Sequence, residues 1–295
     1  MQALWMILAS LLLAAMGVCI KFAAVYYSTY ELLFWRGLFG MALMAYLCRS
    51  QGVKIRTPVP MLHVGRSAVG VISLLAWFYA IAHLPLAMAV TLNYMSSVWV
   101  AVFLVASTLA LGRFQEATRQ GPFLLAVLTA FAGVVLMLRP TLEQNQLFAG
   151  LIGLISGIGA AMAYMQVSAL GKAGEPETRT VFYFSVGTLI TGGVFSLFHG
   201  LSPWNSEQAF WLPTIGVLAA LGQLALTKAY NRGATLLVAN LHYSGIVFAV
   251  LFGLVFFGDQ ITALGCLGML LILVSGMVST FLRQRLLVRP PADES

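Results

Sequence analysis

Long apolar stretches alternate along this chain with short polar connections. Ten stretches fall near residues 3–23, 30–48, 63–82, 86–108, 120–138, 148–170, 181–199, 209–230, 235–257 and 262–282. Each has about 18–25 residues, the length that carries an α-helix across a ~30 Å hydrocarbon core. Short connections predict antiparallel neighbours. The third and fourth stretches are parted only by His83-Leu84-Pro85. One unbroken helix over both would run about 68 Å at 1.5 Å per residue, twice a bilayer, so a turn is required there. Pro85 supplies it, because proline lacks a backbone donor and disfavours helix at the residue before it. Asn231-Arg232-Gly233 has the same turn chemistry at the matching place in the second half.

Charge then orients the spans. Arg49, Lys54, Arg56 and Arg66 are assigned to the second connection, Arg113 and Arg119 to the fourth, and Lys172 and Arg179 to the sixth. Lys228 and Arg232 lie at the eighth, and Arg283, Arg285 and Arg289 follow the last span. These are thirteen of the 16 basic residues, with only Lys21 and Arg139 near the other face and Arg36 inside a span. Such a bias puts that face in the cytoplasm, with both termini on it. An even number of spans demands the same. Basic connections follow even-numbered spans in both halves, so corresponding connections of two five-span halves carry opposite basicity. That is the pattern of two similar units inserted upside down relative to each other, an architecture of carriers.

Short repeats agree. Leu92-Asn93-Tyr94 recurs as Leu241-His242-Tyr243, 149 positions later, and Ala14-Ala15-Met16 recurs as Ala160-Ala161-Met162, 146 positions later. The expected fold is therefore all-α integral membrane: ten transmembrane helices in two inverted five-helix repeats, 1–142 and 143–285, with a cytoplasmic tail at 286–295.

Composition supports this class. Of 295 residues, 60% are hydrophobic and 8% charged, where a soluble domain has about 25% charged. The net charge of +7 is spread over short connections and forms no nucleic-acid stripe, so no nucleic-acid partner is expected. Cys19, Cys48 and Cys266 have no metal-ligand spacing and read as membrane-packed thiols. The N-terminus lacks the basic region of a cleaved signal, so the first stretch reads as a retained helix.

Several segments resemble a known family. Phe34-Trp35-Arg36-Gly37 puts an arginine and small residues inside the second span. The segment from Trp77 to Phe103 has a short outward turn, Pro-Leu-Ala, and an apolar helix. The segment from Thr227 to Asp259 matches the end of the second repeat. Together they resemble EamA-type carriers of the drug/metabolite transporter superfamily, in particular the YddG-like exporter group, over about residues 3–282. The resemblance implies a ten-helix inner-membrane carrier exporting amino acids or other metabolites. Two positions depart from the pattern. Asp259 stands where a Glu commonly closes the ninth span, and Ser244 where a Pro often breaks that helix.

Polar groups inside a membrane are costly and usually face a cavity or a partner. Arg36 is the most anomalous. It lies five residues from Glu31, ~140° around the helix, so the two do not share a face. Its partner must come from another helix or from an anionic substrate. Glu31, at the edge of the second span, and Lys228, near the inner end of the eighth, are candidates for coupling or gating. Asn93, Tyr94, Ser96 and Ser97 in the fourth span, and Asn240, His242, Tyr243 and Ser244 in the ninth, face each other if the halves are inverted copies. Gln166 and Gln223 are mid-span amides, and Trp77, Tyr79, Trp99 and Tyr164 can line a pocket for a substrate with apolar bulk. Each residue also has a purely structural reading, as helix packing, interhelical hydrogen bonding or snorkelling. Gly153 and Gly157, four apart, read as a close helix contact.

No nucleophile–base or metal motif, nucleotide loop, charge ring or filter loop appears. The leading expectation is a secondary carrier with alternating access. Its partners are membrane lipid and a small-molecule substrate, and no cofactor or metal is called for. Its direction is efflux, with uptake or exchange of a larger nucleoside- or nucleotide-like metabolite and multidrug efflux left as alternatives. Coupling and oligomeric state stay open.

Overall fold

The computed structural model describes residues 2–96, 98–100, 102–103, 106, 125, 128–136, 146–232 and 241–288. They are helical almost throughout. In chain order the helices are α1 (Gln2–Ala23), α2 (Thr29–Ser50), α3 (Pro60–His83), α4 (Leu86–Tyr94), α5 (Leu147–Lys172), α6 (Glu177–His199), α7 (Trp211–Arg232), α8 (Ser244–Phe252) and α9 (Ala263–Val288). Residues 128–136 are helical as well. Among the described residues, six helices, α1, α2, α3, α5, α6 and α7, are long and apolar enough to cross a membrane.

Local chemistry sets the boundaries. Ser28 caps α2 in a capping box, its hydroxyl accepting from the Glu31 amide while the Glu31 carboxylate accepts from the Ser28 amide. Pro60 opens α3 at a first-turn position that needs no donor. Leu84, before Pro85, is extended (φ −117°, ψ 161°), so α3 stops and α4 starts as a separate helix.

The fourth and ninth stretches are interrupted at corresponding points. Met95 (φ −55°, ψ −13°) ends α4, and Tyr243 (φ −63°, ψ −14°) precedes α8. Ser244 therefore stands beside a helix break that has no proline. On the α4 side, the Thr91 hydroxyl donates to the Ala87 carbonyl one turn back, a bond that bends helices. α8 runs into a π-helical turn, Gly253–Phe257, closed by left-handed Gly258 (φ 59°).

Packing is symmetric under exchange of α1–α4 with α5–α8 in chain order. α1 packs on α7 and α3 on α5; α2 packs on α7 and α3 on α6; α1 packs on α8 and α4 on α5. α2 with α6, and α4 with α8, map onto themselves. Hydrogen bonds repeat the relation. Ser10, on α1, donates to the His242 backbone carbonyl, and the Ser156 hydroxyl, on α5, accepts from the Asn93 side-chain Nδ2 at 3.1 Å. Ser10 and Ser156 are separated by the 146 positions of the Ala-Ala-Met repeat, and Asn93 and His242 by the 149 of the Leu-x-Tyr repeat.

Small residues make the crossings close. A Cβ on Gly37 would collide with the Leu189 backbone, and one on Gly192 with the Phe34 backbone, so α2 and α6 touch main chain to main chain. A Cβ on Gly157 would lie 2.7 Å from the Leu92 carbonyl oxygen. Gly153 and Gly157 thus bring α5 onto α4 as their spacing predicts.

Candidate functional site

Polar groups converge where the two sets of helices meet. A cavity of about 40 Å³ is lined by Arg66, Ser73, Trp77, Asn93, Tyr94, Tyr164, Phe184 and Gln223, with Leu13, Gly70, Leu74, Ala160 and Ala163 completing the wall. These come from α1, α3, α4, α5, α6 and α7. The space admits about three water-sized groups, far below the ~300 Å³ at which small-molecule pockets begin. In this conformation the cavity is too small to hold a metabolite.

Arg66, assigned from the sequence to the second connection, lies inside a helix. It lies on the second turn of α3 and is 4% exposed. Because α3 starts at Pro60, the residue points into the bundle. Its guanidinium carbon stands over the Phe184 ring at 4.1 Å from the centroid, and that of Arg36 stands over the same ring at 5.1 Å. The partner of Arg36 is thus on another helix, as its orientation required, but it is an aromatic face and not an acid. Arg36 Nε, Arg66 Nε and Arg66 Nη1 are buried without an acceptor. Gly70 makes room for this group: a Cβ there would collide with the Arg66 guanidinium and lie 2.9 Å from the Phe184 ring.

The remaining candidates divide. Asn93, Tyr94, Trp77, Tyr164 and Gln223 line the cavity. His242 adjoins it, its ring 4.3 Å from Tyr94 and 5.8 Å from Tyr164, with neither ring nitrogen hydrogen-bonded. Tyr79 lies 200° around α3 from Trp77 and stacks on His83 at 4.1 Å. Trp99 packs edge-on to Phe131, Gln166 faces Gly65, and Tyr243 lies against Gly276. Lys228 stands over the Trp5 ring at 4.7 Å. Asn240 and Ser97, and the connections holding Arg113, Arg119 and Arg139, lie outside the described residues.

Polar clusters close both ends of the bundle. At one end Lys21 meets Asp259 at 3.1 Å and stands over Phe257, while Asp259 also accepts from the Leu86 amide at 2.9 Å. Glu31 belongs to this end. Both its oxygens are bonded, to the Ser28 amide and to the Ser202 amide and hydroxyl, so it joins the start of α2 to the α6–α7 connection. At the other end Glu175, between α5 and α6, receives the Thr57 hydroxyl at 2.8 Å, His63 Nε2 at 3.0 Å and Arg179 at 3.2 Å on both oxygens. Arg179 Nε and the Tyr183 hydroxyl donate to the Lys54 and Ile55 carbonyls. Burial pushes the Glu175 carboxyl up. The hydrogen bonds from Thr57, His63 and Arg179, with the Arg179 charge, outweigh it and hold the group below the usual carboxylate range.

The sequence reading missed Arg66, Phe184, Ser73 and the Glu175 cluster. Pro60 as a helix-start signal would have placed Arg66 inside a span; nothing local marks Phe184.

Proteins similar to this chain over nearly its whole length are transporters. The pseudopaline exporter CntI of Pseudomonas aeruginosa is 34% identical over 275 residues, covering 91% of this chain and 92% of that protein. The chain belongs to this family of membrane transporters. A riboflavin transporter of Rhizobium johnstonii is 26% identical over 279 residues, covering 93% of this chain and 89% of that protein. A solved crystal structure shares the fold, with a TM-score of 0.65 at 18% identity, over 96% of this chain and 98% of that one. No family model matches.

Proposed function

We propose that this protein is a secondary carrier of the EamA type, built from two inverted five-helix repeats, that exports amino acids or related small metabolites by alternating access. The observation that carries the reading is the exchange-symmetric packing of α1–α4 and α5–α8 around a central polar cavity, with a polar cluster at each end of the bundle. Equivalent serines anchor the breaks of the fourth and ninth stretches beside that cavity. Such breaks at mid-membrane are where inverted-repeat carriers hold their cargo. Releasing the Lys21–Asp259 end opens the cavity to the periplasm, and releasing the Glu175 end opens it to the cytoplasm. Both termini then lie in the cytoplasm, as the basic connections require. The exporter CntI, similar over nearly the whole chain, supports the direction.

Proteoliposomes loaded with a panel of labelled amino acids and amino-acid conjugates test this. Time-dependent escape of at least one compound, absent from protein-free vesicles, is expected. Retention of the whole panel overturns the export assignment. Membrane-impermeant labelling of cysteines placed at the two termini tests orientation, and reaction from opposite faces overturns the paired-repeat arrangement.

A further inference from the structure

We infer that Arg66, on the wall of the central cavity, and Arg36, over the same Phe184 ring just beyond that wall, form an acid-binding end, and that the carried metabolite bears at least two carboxylates. The inference rests on the carrier reading and narrows its substrate class. Both guanidinium groups are nearly fully buried, at 2% exposure for Arg36 and 4% for Arg66. Their central carbons, 5.1 and 4.1 Å from one ring centroid, are no further apart than the sum of those distances. Two like charges so close in a membrane interior repel and are poorly solvated.

No described carboxylate relieves them. Glu31 is bonded to Ser28 and Ser202, Glu175 to Thr57, His63 and Arg179, and Asp259 to Lys21 and the Leu86 amide. Glu207 lies in the α6–α7 connection at the opposite end from Arg66, and Glu177, on the first turn of α6, accepts from neither Arg66 Nε nor Arg66 Nη1. The phenyl ring of Phe184 takes up the guanidinium faces, which leaves their edge donors for planar acceptors. Guanidinium forks match carboxylates in that plane. Arg66 Nε and Nη1 are such donors, buried and without an acceptor, on a residue that lines the cavity.

Charge balance sets the number of acids. One carboxylate leaves a net positive charge beside the two buried guanidinium groups; two neutralise it. A zwitterion with a single carboxylate brings an ammonium group that both arginines repel. Dicarboxylates without a free ammonium, such as succinate or N-substituted acidic amino acids, fit best; a free acidic amino acid, at net −1, balances half the charge, and leucine-like amino acids balance none. Asn93, Ser73 and Gln223 remain to receive amide or amino groups.

Thermal unfolding of the purified full-length protein in detergent, titrated separately with succinate, glutamate, leucine and inorganic phosphate, tests this without relying on flux. Succinate and glutamate should raise the unfolding temperature in a saturable way, and leucine should not. Arg66→Gln and Arg36→Gln should each weaken the apparent affinity for succinate by about ten-fold or more, the scale of a charged hydrogen bond. Arg66→Lys should recover part of it. Without ligand, each Gln variant should unfold at the same temperature as the parent or a higher one, because it removes an uncompensated buried charge. An arginine held only for structure would instead lower it.

Equal stabilisation by leucine, phosphate acting where succinate does not, or undiminished succinate binding by Arg66→Gln would each overturn the assignment. So would no response to either dicarboxylate. If export of a neutral compound from proteoliposomes survives that failure, only the substrate class falls and the carrier reading stands.

Discussion

The two ends of the bundle are closed by different chemistry. At the Lys21–Asp259 end, a single ion pair of partly exposed side chains (18% and 10%) joins α1 to the segment after α8. Aromatic packing does much of the remaining work there: Phe22 stacks on Trp211 at 5.2 Å and packs on Phe257 at 4.7 Å. At the other end, one carboxylate that is 1% exposed holds three partners from the α2–α3 connection, α3 and α6. Removing the carboxylate of a buried cluster leaves three partners unpaired, whereas removing one member of the more accessible Lys21–Asp259 pair leaves a single charge that water reaches more readily. The Glu175 end is thus the stiffer closure and the Lys21–Asp259 end the softer one.

Two native cysteines report on the difference. Cys48, near the Glu175 end of α2, and Cys19, near the Lys21 end of α1, are both buried, while Cys266 is exposed. The measurements belong in a Cys266→Ser background, where maleimide labelling reads opening at either end.

Glu175→Ala is expected to have the largest effect. It strands His63 and Arg179 and should cost about 3–5 kcal/mol at that closure, the scale for breaking a buried pair. Cys48 should label many-fold faster while Cys19 is unchanged. Unaltered Cys48 labelling would show that Glu175 does not hold this end shut.

Gly192→Ala should follow, because the new Cβ meets the Phe34 backbone, which has no soft side chain to move aside. Overpacking of this kind costs about 1–3 kcal/mol. Since α2 and α6 run between both ends, it should lower the unfolding temperature without favouring Cys19 or Cys48. Preferential labelling of one would tie the crossing to one closure.

Asp259→Asn should cost less still, because it removes one ion pair, Lys21 keeps the Phe257 ring and partial access to water, and Asn keeps an acceptor for the Leu86 amide. Cys19 labelling should rise modestly and Cys48 labelling should not. A change as large as that of Glu175→Ala would erase the contrast between the ends.

Acidification should have the smallest effect. The Glu175 pKa lies below its ordinary 4.5 in the folded protein. Its contribution is therefore complete above the unfolded pKa and is lost only as pH falls through the lower folded value. Between pH 7 and 5.5, Cys48 labelling per unit of reactive thiolate should stay flat. A marked increase in that range would assign the closure to a group other than Glu175.

Much of the frame was legible one residue at a time. The turn at Leu84-Pro85, the start of α2 at Ser28 and the close approach at Gly153 and Gly157 follow from local rules about donors, caps and missing Cβ atoms. Arg36 announced itself as a charge in the wrong solvent, and Asn93, Tyr94, Trp77, Tyr164 and Gln223 as polar or amphipathic groups in apolar runs. The same signals marked Tyr79, Trp99, Gln166 and Lys228, which the fold turns away from the cavity. In a span where almost every position is apolar, no stripe tells the inward face from the lipid face.

The chain by itself determined how many long apolar segments there are, where they turn and which connections are basic. Those properties follow from bilayer thickness, backbone hydrogen bonding and the cost of moving charge across lipid. Only the tertiary structure decided that Arg66 joins Arg36 at Phe184 and that Glu31 is spent on Ser28 and Ser202. It also gathered Thr57, His63 and Arg179 on Glu175. These depend on the rotation of each helix about its axis, and packing between helices sets that angle.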